Sequence, residues 1–370
     1  MNTRTAPQDL APFGEDHGPL LTGVYAPVMD ELELRDLKPV KGVIPNNLNG
    51  VYLRAGPNAR YAPNGRYHPF DGDGMVHGAH FDNGHLTYRN RWVHTDGWMD
   101  LPGPRLPHDM AVTEHYSVLH DLPLFHDHEA MALGRHKIEF HPEMHSRFGV
   151  LPRFGASDSI RWFDFTPCYL YHVVNAWEEG DWVVMVGCRY MPALDAQGDI
   201  DAQRTARDVA ELVMHARLWV WKMQVKTGET AEHVLNAKYN AEFPSCNGRL
   251  TGRKTRFGYL VDHSETVTLQ WSGVRKFDLD TGADLGGWSD DPQHSWYSEP
   301  WFAEADAPQA EDHGYVISFQ WNDARKRQTL DVFDARNIGQ GPVAQVELPQ
   351  RLPAGFHACW IKKDRLQPVR

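Results

Sequence analysis

The stretch Met75-Val-His-Gly-Ala-His-Phe81, Asp82-Asn83-Gly84, His85-Leu-Thr-Tyr-Arg-Asn-Arg-Trp-Val93 decides the fold class. Two alternating runs flank an Asn-Gly pair, and a type I′ turn needs φ > 0 at both of its central residues, so the stretch predicts a β-hairpin. The same style recurs along the chain. Residues 218–225 run into Lys226-Thr227-Gly228, and residues 274–279 into Asp280-Thr281-Gly282. Residues 314–321 and 328–334 read as a further pair around Asn322-Asp323. One convincing helix is expected over 202–217, with Val209, Leu212 and Val213 on one face, and a short one over 129–133. Many strands, few helices and no βαβ alternation make the chain all-β and exclude Rossmann and (β/α)8 folds. Sandwich, barrel and propeller stay open at this point, because no crisp internal repeat is visible.

Composition agrees. The 370 residues are 41% hydrophobic and 23% charged, enough apolar content for a packed core. Aromatics are generous (13 Trp, 13 Tyr, 16 Phe), as are Gly (31) and Pro (25), which suits many short strands joined by turns. A net charge of −12 argues against nucleic acid as the main partner. No run approaches the ~18 apolar residues of a membrane span, and residues 1–30 lack the apolar core of a secretory signal. A cytoplasmic location is therefore expected, with peripheral membrane contact left open. Cys168, Cys188, Cys246 and Cys359 are scattered and read as reduced thiols. Residues 1–35 read as an irregular leader and 36–370 as one domain. Histidine is the outlier at 21 residues.

Eight segments, in order, carry a resemblance. They are Asn49-Gly-Val-Tyr-Leu-Arg-Ala-Gly-Pro-Asn58, His68-Pro-Phe-Asp-Gly-Asp-Gly-Met-Val-His77, Leu106-Pro-His-Asp-Met-Ala-Val-Thr-Glu114 and Gly149-Val-Leu-Pro-Arg153. Then come Tyr171-His-Val-Val-Asn-Ala-Trp-Glu-Glu-Gly180, Ala241-Glu-Phe-Pro244, Ser298-Glu-Pro-Trp-Phe302 and Leu352-Pro-Ala-Gly-Phe-His357. Together they resemble the carotenoid cleavage oxygenases, a family that includes carotenoid, apocarotenoid and lignostilbene dioxygenases and a retinoid isomerase. The resemblance implies a seven-bladed β-propeller with an Fe(2+) ion on its axis, held by four His from different blades. It implies O2-dependent cleavage of a conjugated C=C bond in an apolar polyene or stilbene, with both carbons ending as carbonyls.

By motif, His108, His172 and His357 match three of the four ligands. Glu242 and Glu299 match the carboxylates that orient the imidazoles of His172 and His357. Taken singly, each His reads as an ordinary hydrogen-bonded core residue, and each Glu as a solvated one. Phe70, Trp162, Phe163, Trp177, Trp301 and Phe356 flank the motifs and are candidate tunnel walls, with plain core packing at least as good a reading for each.

One part of the pattern is missing. In relatives a long segment separates the hairpin ending near Thr95 from the His108 motif, whereas here only about a dozen residues do. That segment would hold the first His ligand, the Glu behind His108 and about two blades at ~45 residues each. His68-Pro69 and His141-Pro142 lie in the wrong places to replace it. His126, His128, His136 and His141 read as loop residues. A propeller with fewer than seven complete blades, three of four ligands and little or no activity is the expectation. Carotenoids and apocarotenoids rank first as substrate and stilbenes second, with an inactive remnant as the further alternative.

Overall fold

A computed structural model describes residues 21–59, 74–92, 108–127, 137–213, 215–265 and 268–366. The predicted hairpin forms from Gly74–Asp82 and His85–Trp92. Asn83 (φ 49°) and Gly84 (φ 77°) occupy the two left-handed positions that the turn demands. The other expected pairs also form, as Ala216–Gln224 with Thr230–Asn236, Trp271–Asp278 with Asp284–Trp288, and Gly314–Asn322 with Arg327–Asp334. The helix is shorter than expected and covers Ala202–Ala210, capped by the Asp201 side chain, which accepts from Arg204 N. It stops because Leu212 turns left-handed (φ 56°) and residues from Ala216 onward pair with the strand Trp182–Tyr190. Residues 129–133 lie outside the described residues.

The strands assemble into five sheets of four or more strands and one small hairpin, Leu124–His126 with Ile138–Phe140. Blade 1 runs Glu33–Leu34, His85–Trp92, Gly74–Asp82, Gly50–Pro57, Ala358–Lys362. Blade 2 runs Arg161–Phe165, Ser146–Pro152, Tyr116–Asp121, Ala111–Val112. Blade 3 is Tyr169–Glu179, Trp182–Tyr190, Ala216–Gln224, Thr230–Asn236, and blade 4 is Ala241–Ser245, Phe257–His263, Trp271–Asp278, Asp284–Trp288. Blade 5 runs Pro39–Gly42, Pro342–Glu347, Arg327–Asp334, Gly314–Asn322, and then pairs with both Ser295–Tyr297 and Trp301–Glu304. Glu33–Leu34 thus fastens the end of the expected leader to blade 1.

One edge strand of each blade faces the axis. Along that edge Ala111–Val112 packs on Tyr169–Glu179, which packs on Ala241–Ser245, then Trp301–Glu304, then Ala358–Lys362. The order is blade 2, 3, 4, 5, 1. Two exchanged strands act as fasteners, since Ala358–Lys362 completes blade 1 and Pro39–Gly42 completes blade 5. Among the described residues, no strand of blade 1 packs extensively on a strand of blade 2. Among the described residues five blades are present where the family expectation is seven, and the break between them falls where the sequence lacks its segment.

Candidate metal centre

Each of the five axial edges contributes one candidate residue: His108 just before Ala111–Val112, His172 in Tyr169–Glu179, Glu242 in Ala241–Ser245, Glu299 between the two inner strands of blade 5, and His357 just before Ala358–Lys362. In four of the five blades the backbone ladder is broken or begins at that residue. Around His172 the register slips between Leu170 and Val173 and again before Asn175. At Glu242 it slips before Ser245, where Phe243 is left-handed (φ 48°) ahead of Pro244. Ser298-Glu299-Pro300 interrupts the inner edge of blade 5. Such bulges re-aim a side chain that a regular pleat would hold in its alternating direction.

The three histidines converge. His108, His172 and His357 each offer a ring nitrogen, and all three lie within 4.8 Å of one another. The Nε2 atoms of His108 and His172 are 3.3 Å apart. Two nitrogens bonded to one ion at ~2.0–2.2 Å and near right angles would stand about 3 Å apart, so the set fits a divalent ion with little adjustment. Burial, reinforced by the neighbouring His357, pushes His172 down to about 4. Burial followed by His172 and His357 does the same to His108. Both rings are therefore neutral at neutral pH and keep a lone pair to donate. His357 is raised instead, chiefly by the Glu299 carboxylate.

The two carboxylates sit behind the ring. Glu242 is fully buried; its Oε2 faces His172 Nδ1 at 2.6 Å and accepts from Phe243 N at 2.8 Å, whereas Oε1 has no partner. Burial raises the Glu242 carboxyl well above the carboxylate range, so without an ion the pair favours its uncharged arrangement. Glu299 lies 3.6 Å from His357 Nδ1, beyond a good hydrogen bond, and accepts instead from Ala358 N beside it. No described carboxylate meets Nδ1 of His108. The sequence reading missed Asp109, whose Oδ2 accepts from Val173 N at 2.8 Å and so ties the residue after His108 to the residue after His172.

The apolar wall is partly as expected. Phe243 lies 4.5 Å from the His172 ring and 4.5 Å from Trp271, and Phe356 stacks on Phe243 at 6.4 Å. Tyr171 meets the edge of His108 at 5.2 Å. Of the five described tunnel candidates, only Phe356 has a ring in this group. Trp177 packs between blades 3 and 4, Trp301 against the core shared by blades 1 and 5, and Phe163 in the interior; Trp162 is partly exposed on blade 2. Phe70 and His68, like His128 and His136, lie outside the described residues. On the other side, His108 and His357 are exposed.

A sequence model of the retinal pigment epithelial membrane protein family matches residues 25–100 and 96–362. This chain belongs to the carotenoid cleavage oxygenase family. The match comes in two pieces meeting at 96–100, where the segment is missing. The chain is 27% identical to the carotenoid 9,10(9′,10′)-cleavage dioxygenase 1 of Phaseolus vulgaris, over 500 aligned residues covering 94% of this chain and 90% of that protein. Since the chain has only 370 residues, well over a hundred positions of the relative face a gap. It is 30% identical to the zeaxanthin 7,8(7′,8′)-cleavage dioxygenase of Crocus sativus, with 71% and 70% covered. Among solved structures, the lignostilbene dioxygenase of Pseudomonas brassicacearum superposes with a TM-score of 0.80 at 22% identity, covering 97% of this carotenoid oxygenase homologue and 100% of that chain. The cobalt-substituted Synechocystis ACO gives 0.77 at 19%, covering 91% and 97%. The propeller family fold follows. No described helix is long and apolar enough to cross a membrane.

Proposed function

We propose that His108, His172 and His357 bind Fe(2+), and that the site belongs to the class that cleaves a conjugated C=C bond of carotenoids or apocarotenoids with O2. The observation that supports this reading is the convergence of three ring nitrogens, two of them on neutral imidazoles, from three separate blades. The donor set suits iron, for which imidazole is a good ligand and open positions are the rule in oxygenases. When bound, Fe(2+) supplies the one-electron chemistry that lets O2 react with an alkene, yielding two carbonyls.

The chain's own residues bind and orient. Glu242 accepts the Nδ1 proton of His172 and so presents its Nε2 lone pair. Glu299 holds the amide next to His357 and places negative charge behind that ring. An all-His set leaves the dication uncompensated, so these carboxylates and Asp109 supply the nearest countercharge. Phe243, Trp271 and Phe356 shield one side from water.

Exposure on the other side favours a second reading, in which a chain with five described blades turns over slowly or not at all. Exposed His108 and His357, with no described carboxylate behind His108, predict weak metal retention and a site that water floods. Stilbenes rank second as substrate, because the resemblance places the residues that grip a phenol in the missing segment. Anaerobic loading with Fe(2+), metal analysis and assay with a β-apocarotenal and a 4-hydroxystilbene test the proposal. Near-stoichiometric iron supports the site. Inserting an active relative's segment after Thr95 is expected to raise both iron content and turnover. Robust turnover by the 370-residue chain would overturn the low-activity reading, and absence of iron binding in both forms would overturn the site.

A further inference from the structure

The loop that delivers His357 also covers a second cavity, lined by Arg54, Trp271, Trp321, Gln328, Leu352 and Pro353 among others. Arg54 belongs to the blade 1 strand Gly50–Pro57 and is only 3% exposed. Its Nη2 donates to the Pro353 carbonyl at 2.6 Å, but its Nε–H has no acceptor. The indole N–H groups of Trp271 and Trp321 are likewise buried without an acceptor. The neighbouring Arg351 uses its guanidinium on the backbone carbonyls of Val24 and Ala26. No described carboxylate pairs with either arginine. Burial lowers both to about 10, and at neutral pH both stay charged. His77, held well below its ordinary value by burial and then by the two arginines, adds no negative charge.

A buried guanidinium without a counter-ion is among the costliest arrangements in a protein interior, and each buried N–H without an acceptor adds to it. Three such donors, with a fourth on Trp296, belong to residues that line one cavity, and they call for an occupant that only accepts. A water molecule would use one or two of the N–H groups and leave the charge unmet. The cavity has room for little more than one water-sized occupant, which is too small for sulfate or phosphate. We propose that this cavity binds one monatomic monovalent anion of the chloride class, held by the Arg54 guanidinium and the indole N–H groups of Trp271 and Trp321.

The site is separate from the metal centre but shares a strand with it. Ala55 N donates to the His357 carbonyl at 2.7 Å, and Phe356 N returns to the Ala55 carbonyl at 3.2 Å. An anion that fixes Arg54 therefore steadies the segment that presents His357, with or without iron.

The test uses the metal-free full chain in buffers of equal ionic strength, exchanging gluconate for chloride, formate or sulfate. Chloride is expected to give a saturable rise in Tm of about 2–4 °C, and the larger formate and sulfate none. Trp321→Phe and Trp271→Phe should each raise the half-saturating chloride concentration several-fold, and Arg54→Met should abolish the response. If Arg54→Met does not fold, the two tryptophan variants carry the comparison. A crystal soaked in bromide should show one anomalous peak beside Arg54 Nε. Identical Tm values in chloride and gluconate, or a response unchanged in both tryptophan variants, would overturn the proposal by showing that the Arg54 charge is met within the protein.

Discussion

Removing the carboxylate of Glu242 separates orientation from charge at the metal centre. In Glu242→Ala the His172 Nδ1–H loses its acceptor at 2.6 Å and the Phe243 amide loses its own at 2.8 Å. The ring is then free to rotate or to switch tautomer, and loss of such an outer partner typically weakens metal binding about 10–100-fold, or roughly 1.4–2.7 kcal/mol. Glu242→Gln differs in kind. Its amide oxygen can take the place of Oε2 and serve both donors, while its NH2 falls where Oε1 already lacks a partner. The tautomer is kept, the charge is lost and two buried N–H donors of the NH2 group are left over, at a folding cost of about 1–3 kcal/mol or more. Gln is therefore expected to lose less than about tenfold in affinity but more in stability than the geometry alone suggests. Anaerobic calorimetric titration with Fe(2+) or Co(2+), alongside urea unfolding of the metal-free forms, reads the two effects apart. Alanine binding metal as tightly as the parent would refute the reasoning, since His172 would then be positioned by something else.

Asp109→Ala should weaken metal binding by several-fold and alter the visible band of the cobalt form, and Asp109→Asn, which keeps an acceptor for Val173 N, should recover most of it; equal loss in both would assign the effect to charge alone. Asp331 is fully buried, and burial raises its carboxyl from the ordinary 3.8 to about 6. Because the folded value lies above the unfolded one, the stability it supports is complete below about pH 4 and is lost as pH rises through 6. Asp331→Asn should accordingly be more stable than the parent by up to about 3 kcal/mol at pH 8, with the difference vanishing near pH 4 in urea titrations; a gap independent of pH would count against this account. Lys276 is buried over Phe257 (4.1 Å) and pairs with Asp312 at 2.6 Å. Asp312→Asn should cost about 3–5 kcal/mol by stranding that charge, and adding Lys276→Met should restore most of it, which a double-mutant cycle by chemical denaturation would check.

The hairpins were legible because their information is local. Asn83-Gly84 and its flanking alternation specify a turn without reference to anything distant, and the structure obeys. The helix from Ala202 was legible at its start, where Asp201 caps it, and not at its end. Its stop depends on Tyr190 and Arg189 recruiting residues 216–217 into a sheet, a pairing invisible to helical periodicity. His108, His172 and His357 could be singled out only through whole motifs, since nothing near His172 in sequence predicts a neighbour at His357. Asp109 escaped because its partner is a backbone amide on another blade. Trp177 and Trp301 are aromatic residues next to motif residues, but their strands point them between blades, and adjacency in sequence does not fix the face.

The five candidate residues come one to a blade. Chemistry at this axis is therefore divisible in the same units as the fold. A chain that loses blades loses whole donors, each with its supporting strand, and the survivors keep their own local bonds. Glu242 still meets His172 here although, among the described residues, blades 1 and 2 do not pack extensively on each other. A propeller of this design would degrade by subtraction rather than collapse, with the described blades still holding His172, Glu242 and His357 in register.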